Sequence, residues 1–397
     1  MKIIIQKFGG TSVSNVNHRE MVIKKILQAK NDGYSPVVVV SAMGRKGDPY
    51  ATDTLLSLID ASNTAIDKRE TDMLMSCGEI ISACVLYSML KSRGVKCIAM
   101  TGGQAGIVTD DSFGSASVIK VNADNIYNYL TDGFIPIIAG FQGVTETGNI
   151  TTLGRGGSDT TAAILGEALK AKEIEIFTDV DGIMTADPRI VPDAKVIGNM
   201  TYNEVFQFAD EGAKVIHPRA VELAMRSNIP LVIKNTMSDA PGTFIANNYK
   251  DGLNKHLVTG ITYMPNRTQV SIENDAIDTE TVFNNLAENK ISIDLINIFP
   301  TYSIFTIDKE CTEKAVHILN KLNIKYRITE NCSKVSVIGS SIRGIPGVMA
   351  RIIKAMKRNN INILQTSDSH TTIWCLVKYD DTVKSINALH KEFGLSD

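Results

Sequence analysis

Two short glycine-rich stretches hold the residues best suited to chemistry. One is Lys7-Phe8-Gly9-Gly10-Thr11-Ser12, directly behind the apolar run Ile3-Ile4-Ile5. The other is Gly154-Arg155-Gly156-Gly157-Ser158-Asp159. It lies between an extended run over 149–153 and a segment with Ala162, Ile164, Leu165, Ala168 and Leu169 at helical spacing. Glycines that turn a strand into a helix leave main-chain N–H groups free to converge on an anion. The helix N-terminus adds its own unpaired donors and the positive end of its dipole. Ser158 and Asp159 suit a helix cap, and Arg155 offers a planar fork to a carboxylate or a phosphate. Lys7 stands where it could reach over its turn to a phosphate; taken alone, that motif reads equally well as a tight turn beside a solvated lysine. Neither stretch is a Walker A box or a GxGxxG fingerprint, so those mechanisms do not transfer.

The elements that would position these residues follow from the rest of the chain. With 397 residues it is too long for one ordinary core, and two or three domains are expected. A net charge of −2 with 21% charged residues gives no electrostatic footprint for nucleic acid or an anionic membrane. Met1 runs straight into Ile3-Ile4-Ile5 without the features of a signal peptide, and no apolar run is expected to reach bilayer-spanning length. The six cysteines are far apart with no CxxC pair, and the six histidines lack metal-ligand spacing. Neither a disulfide framework nor a protein-held metal is expected, and reduced thiols in a cytoplasm are.

Strands are predicted over 2–6, 36–41, 95–100, 135–139, 173–177 and 231–233. Helices are predicted over 21–29, 70–93 and 122–130 and after Ser158. This alternation to about residue 245, with continuous β-branched runs such as Val37-Val38-Val39-Val40, predicts a three-layer α/β domain with a mostly parallel central sheet. Leu231-Val232-Ile233 is expected to close that sheet. Ligands in such sheets sit beyond the carboxyl ends of the strands. Lys7, Ser41, Gly102-Gly103, Gly140 and Thr178-Asp179 all follow predicted strand ends, which points to one shared site. The polar stretch 43–53 reads as a flap. Glu79 lies inside an apolar helix; it is either on the wet face or, turned inward, in need of a cation such as a ligand ammonium.

After Pro241-Gly242 the chain changes character. Ile291, Ile293 and Leu319 recur as Ile361, Ile363 and Leu389, a spacing of 70. That period predicts two ferredoxin-like βαββαβ units. The second has strands at 335–338, 361–366 and 372–377 and helices at 348–358 and 383–392. Its Gly344-Ile345-Pro346-Gly347 turn could hold a carboxylate at a helix start.

Together the two glycine stretches, Thr178-Asp179-Val180-Asp181-Gly182 and Gly212-Ala213-Lys214-Val215 closely resemble the aspartate kinases (aspartokinases) of the amino acid kinase family. The C-terminal repeat resembles their paired ACT regulatory domains. The resemblance covers essentially the whole chain and matches the monofunctional form. It implies transfer of the γ-phosphate of MgATP to the β-carboxylate of L-aspartate, the first step toward lysine, threonine and methionine. Lys7 and Asp159 would be catalytic. Lys7, Phe8, Gly9, Gly10, Thr178, Asp179, Met184, Arg189, Lys214 and Val215 would bind ATP, although Met184 stands where relatives commonly carry Tyr. Ser41, Thr52, Glu79, Arg155, Gly156, Gly157 and Ser158 would hold aspartate, Glu79 taking its ammonium and Arg155 its α-carboxylate. Asn274, Asp275, Ala276, Ile277 and Asp294 would contact an amino-acid effector, lysine before threonine. The implied domains are 1–245 (kinase), 246–255 (linker), 265–333 (first ACT) and 256–264 with 334–397 (second ACT). The ACT units would pair the chain into a homodimer or dimer of dimers. The rivals are another member of the amino acid kinase family and a non-catalytic amino-acid sensor.

Overall fold

The computed structural model describes residues 1–60 (Asp60 by its backbone only), 66–213, 215–247, 257–274, 279–339, 342 and 345–396. The chain forms two compact units. The first comprises Met1–Ile183, Val196–Ala209 and Lys214–Lys250; the second comprises Met184–Lys195, Asp210–Ala213 and Asp251–Asp397.

In the first unit the β-branched runs form the middle of an eight-stranded sheet, where burial on both faces favours continuous apolar strands. From one edge the order is Cys97–Met100, Ile135–Ala139, Ser35–Val40, Ile3–Phe8, Glu173–Thr178, Leu231–Asn235, Thr243–Ile245 and Asn199–Met200. The first six are mutually parallel, so their carboxyl ends share one edge. Leu231–Asn235 does not close the sheet. The chain reverses at Gly242 (φ +84°) and adds Thr243–Ile245 antiparallel, and Asn199–Met200 pairs beyond it. A separate four-stranded sheet joins Val118–Val121, Ile107–Thr109, Gln142–Thr145 and Ile150–Thr152. Only Ile150–Thr152 falls in a segment expected to be extended, 149–153; the other strands, of three or four residues, are too short to show a period.

The helices Val16–Asn31 and Lys68–Lys91 cover one core with the sheet, through Val22, Ile23, Ile26, Ala83, Leu86 and Leu90 against Val38, Val40 and Ile137. Phe8 and Phe177 stack in the same core at 4.7 Å between centroids. The expectation that no apolar segment reaches spanning length is corrected here, because the 24-residue Lys68–Lys91 helix does so by length and composition. Its buried face, however, carries Asp72, Ser76 and Glu79 among its apolar residues, as suits a core helix with polar work to do.

The second unit is built on one antiparallel six-stranded sheet in the order Ile293–Ile298, Tyr302–Asp308, Gly260–Glu273, Tyr326–Ile338, Thr372–Lys378 and Gln365–Asp368. The predicted strand at 361–366 is displaced to Gln365–Asp368, and the predicted helix at 348–358 is found as Val348–Arg358. Two cores lie on this sheet. Val270, Ile272, Val282, Leu286, Phe305 and Leu319 form one; Val258, Ile261, Val335, Val337, Ile352, Ile373 and Leu389 form the other. The long strands Gly260–Glu273 and Tyr326–Ile338 contribute to both, and their pairing shifts register between Met264 and Gln269.

A charged group sits inside this unit. Lys334 Nζ lies 2.6 Å from Asp294 and 2.9 Å from Glu211, and the Lys334 and Glu211 side chains are only 5% and 4% exposed. Ser336 Oγ also donates to Glu211, at 2.7 Å. Removing one member of a buried pair strands the other charge. Lys334→Ala is therefore expected to cost about 3–5 kcal/mol in urea unfolding of the full chain. The double variant with Glu211→Ala should recover part of that loss.

Candidate active site

The shared edge of parallel strand ends opens into a cavity of about 510 Å³. It is lined by ten residues singled out from the sequence: Lys7, Gly10, Ser41, Thr52, Glu79, Arg155, Gly156, Gly157, Ser158 and Asp159. A strand of the parallel sheet brings in the first glycine stretch, and the Ile150–Thr152 strand of the smaller sheet leads into the second. Lys7 is the penultimate residue of Ile3–Phe8, and Asp159 lies in the first turn of the Gly157–Ala168 helix. Lys7 Nζ meets Asp159 Oδ1 at 2.6 Å, with both side chains 12% exposed. The other Asp159 oxygen accepts the His217 N–H at 3.4 Å. The turn before this helix requires glycine at 156. Its φ is +69°, and a Cβ there would lie 2.2 Å from the His217 ring.

Two groups in the cavity await charged partners. Arg155 is exposed and makes no hydrogen bond or ion pair among the described residues. Glu79 is 2% exposed; its Oε1 accepts the Ala42 N–H at 3.1 Å, while its Oε2 is buried with no partner. Burial pushes the Glu79 carboxyl up to about 8, against the pull of the Ala42 N–H. The inward orientation, one of the two open from the sequence, is the one adopted. Empty, this carboxyl is mostly protonated at neutral pH; a ligand cation beside it would favour the anion.

Thr52 opens the Thr52–Asp60 helix and lines the cavity with Asp53 and Leu56. The preceding loop is tied down at both ends of the site: Gly44 N–H donates to Gly10 O at 2.9 Å, and Arg45 pairs with Asp179 at 2.6 Å. Thr178 ends the strand beside Lys7, and Gly9 N–H donates to Phe177 O at 3.2 Å, so Thr178-Asp179 adjoins the first glycine turn. Val215 belongs to the same unit.

The remaining sequence candidates are placed as follows. The Phe8 ring is fully buried on Phe177 and is closed to a ligand; only its main chain borders the turn. Gly102 and Gly103 do not line the cavity. They allow close packing on the Gln142–Thr145 strand, where a Cβ on Gly102 would fall 2.0 Å from the Gln142 carbonyl oxygen. Met184 and Arg189 are counted with the second unit, where Arg189 grips Asp187 at 2.7 Å. Lys214, Asp275, Ala276, Ile277 and Gly344 lie outside the described residues. Asn274 is engaged with Phe299 O and Ser303, and Asp294 with Lys334. Burial pushes the Asp294 carboxyl up, but Lys334 outweighs it and holds the carboxyl below its ordinary range.

Met75, Phe141 and Gly114 also line the cavity and were missed. Met75 precedes Glu79 by one helical turn, a spacing that could have found it. Phe141 and Gly114 come from loops without periodic signal; only the positive φ of Phe141 (+69°) marks it as special.

Comparison with known proteins covers the same ground. The model of the amino acid kinase family matches residues 2–235, and that of the ACT domain matches residues 327–391. The chain is 46% identical to aspartokinase 1 of Bacillus subtilis across the full length of both. It is 38% identical to the aspartokinase of Geobacillus stearothermophilus, covering all of this chain and 98% of that one. Among solved structures, aspartokinase III of Escherichia coli in complex with aspartate and ADP superposes with a TM-score of 0.80 at 26% identity, covering 99% of this chain and 100% of that one.

The Glu79 carboxyl also makes stability depend on pH. Its pKa is higher folded, about 8, than the ordinary 4.5, so the folded state binds the extra proton. Stability is lost as pH rises from 4.5 to about 8, and the loss is complete above that. Glu79→Gln keeps a neutral side chain of the same shape. It is expected to melt several degrees above the parent at pH 8.5 and level with it near pH 4.5, by calorimetry of the ligand-free protein.

Proposed function

We propose, because this chain belongs to the aspartokinase branch of the amino acid kinase family, that it transfers the γ-phosphate of ATP to the β-carboxylate of L-aspartate, giving 4-phospho-L-aspartate and ADP. The observation that carries this reading is one cavity holding a guanidinium unpaired among the described residues, a buried carboxyl with one oxygen lacking a partner, and a lysine clamped by an aspartate. Aspartate matches all three. Its ammonium goes to Glu79, its α-carboxylate to Arg155, and its β-carboxylate toward Lys7. ATP would lay its terminal phosphate against Lys7 and the Gly9-Gly10 turn, with Thr178, Asp179 and Val215 on the nucleotide side.

The acceptor is already ionised at neutral pH, so no general base is required. A β-carboxylate oxygen bonds to the γ-phosphorus, the bond from that phosphorus to the bridging oxygen breaks, and ADP leaves with the electron pair. The barrier lies in pressing one anion against another. Lys7, with the turn N–H groups, neutralises charge on the moving phosphoryl group, and Asp159 keeps the ammonium aimed. Among the described residues no cluster of three His, Cys, Asp or Glu is poised for a metal. That donor set fits a Mg²⁺ that arrives on the nucleotide's phosphates and takes one or two carboxylates, with Asp159 the residue beside Lys7 to hold it. Bound there, Mg²⁺ would screen phosphate charge.

The second unit reads as regulatory. We take 265–333 as one ACT domain inserted in another formed by 256–264 and 334–397, in line with the two cores on one sheet. Self-pairing through these domains, a cytoplasmic location and a place at the head of lysine, threonine and methionine synthesis complete the proposal. Lysine is the first-choice inhibitor: E. coli aspartokinase III has been solved in a T-state with lysine and aspartate. An effector ammonium reaching Asp294 would have to displace Lys334.

Three measurements decide these points. ADP release with L-aspartate is expected to exceed that with glutamate, acetylglutamate or UMP by orders of magnitude; equal rates would return the chain to another branch, and none at all would make it a sensor. Arg155→Ala is expected to raise KM for aspartate at least about tenfold, the cost of one stranded charge. Titrating the activity with lysine and then threonine is expected to show inhibition by lysine first.

A further inference from the structure

We propose that Asp72 is the positioning residue that sets Arg155 opposite Glu79 and thereby fixes selectivity for a substrate carrying an α-carboxylate. This deepens the reading above and rests on it. Asp72 is fully buried on the Lys68–Lys91 helix, on the face that also presents Met75 and Glu79 at spacings of three and seven. Its carboxylate collects three hydrogen bonds. Oδ2 accepts from Gly114 N–H at 2.9 Å and Thr152 N–H at 2.8 Å, and Oδ1 accepts from Thr152 Oγ1 at 2.8 Å.

Both donors belong to the walls of the site. Gly114 lines the cavity. Thr152 ends the Ile150–Thr152 strand, and Leu153-Gly154-Arg155 follows it directly. The two walls are stitched to each other as well, by Ala116 N–H to Thr152 O at 2.8 Å. One rigid helix therefore carries Glu79, which takes the ammonium, and through Asp72 grips the strand that delivers Arg155, which takes the α-carboxylate. The spacing between the two recognition charges is set along that helix. A carboxylate suits this place because it only accepts, and three donors converge on it. An amide would turn its own N–H₂ against one of them.

The test uses the full-length enzyme with Asp72→Asn, Thr152→Val, Thr152→Ser and the double variant Asp72→Asn/Thr152→Val. Asp72→Asn is expected to raise KM for aspartate about tenfold while kcat and KM for ATP stay within about twofold. Thr152→Val, which leaves both main-chain donors in place, should move KM for aspartate in the same direction by less, and Thr152→Ser should restore it. The double variant should be no worse than Asp72→Asn alone, because both changes cut the same link. The preference for aspartate over 3-aminopropanoate, which lacks the α-carboxylate, should narrow in parallel.

A purely structural role would instead lower melting temperature and kcat and raise both KM values together, and leave that preference intact, which would overturn the proposal. So would Thr152→Val with wild-type KM for aspartate, a readout that stands even if Asp72→Asn fails to fold. If the wild type releases no ADP with aspartate, the assignment of the cavity falls and takes this inference with it. An active wild type with unchanged selectivity in the variants sinks this inference alone.

Discussion

The catalytic unit depends on holding one lysine against one aspartate, 2.6 Å apart and mostly out of water. Withdrawing such a pair from solvent is costly unless geometry and further hydrogen bonds compensate. The fold supplies both. A parallel strand delivers Lys7 and the smaller sheet delivers the Gly157 helix start, the helix N-terminus favours the carboxylate, and the His217 N–H occupies its second oxygen. Gly156 is the hinge of the arrangement, since any side chain there would drive out His217. Under the proposed reading, an ammonium so constrained is already aimed at the phosphate, which is where a reaction between two anions gains most.

The two groups that the proposed reading gives to the substrate handle isolation in opposite ways. Arg155 is exposed, and water satisfies its guanidinium until a ligand arrives. Glu79 has no such access; one oxygen has the Ala42 N–H and the other has nothing, so the group keeps a proton instead. The protein's own groups thus leave the pocket close to neutral at its floor and positive at its rim. A ligand with an anionic end and a cationic end completes both. One with the anionic end alone leaves Glu79 protonated and loses half of the recognition.

Much of this was legible from residue types. The β-branched runs announced buried parallel strands, and Lys7 and Ser41 at neighbouring strand ends line one cavity because parallel strands share their carboxyl edge; Gly140 does not line it, and Thr178-Asp179 only adjoins the first glycine turn. Glu79 was noticed because a carboxylate amid apolar helix positions needs a reason, although only coordinates could tell which way it faced. Asp72, on the same helix, raised no such flag. Its partners are main-chain N–H groups and a threonine far along the chain, and no local pattern encodes those. Gly102-Gly103 misled for the complementary reason: a glycine pair after a strand looks the same whether it makes room for a phosphate or for a neighbouring strand. Apart from Ile150–Thr152, the strands of the small sheet and the extra edge strands have two to four residues, too few to carry a period, and went unseen.

In the second unit, Gly260–Glu273 and Tyr326–Ile338 each run through both halves of the sheet, with Gly260 opposite Ile338 and Ile272 opposite Tyr326. Neither half owns its middle strands. During synthesis the inner half can knit as soon as Tyr326–Cys332 leaves the ribosome. The outer half must wait for the C-terminal helix Thr382–Glu392, with Gly260–Met264 already committed to the same ribbon. A nick anywhere in that ribbon would unravel both halves at once, so the pair should melt as a single block and resist being dissected into separate modules.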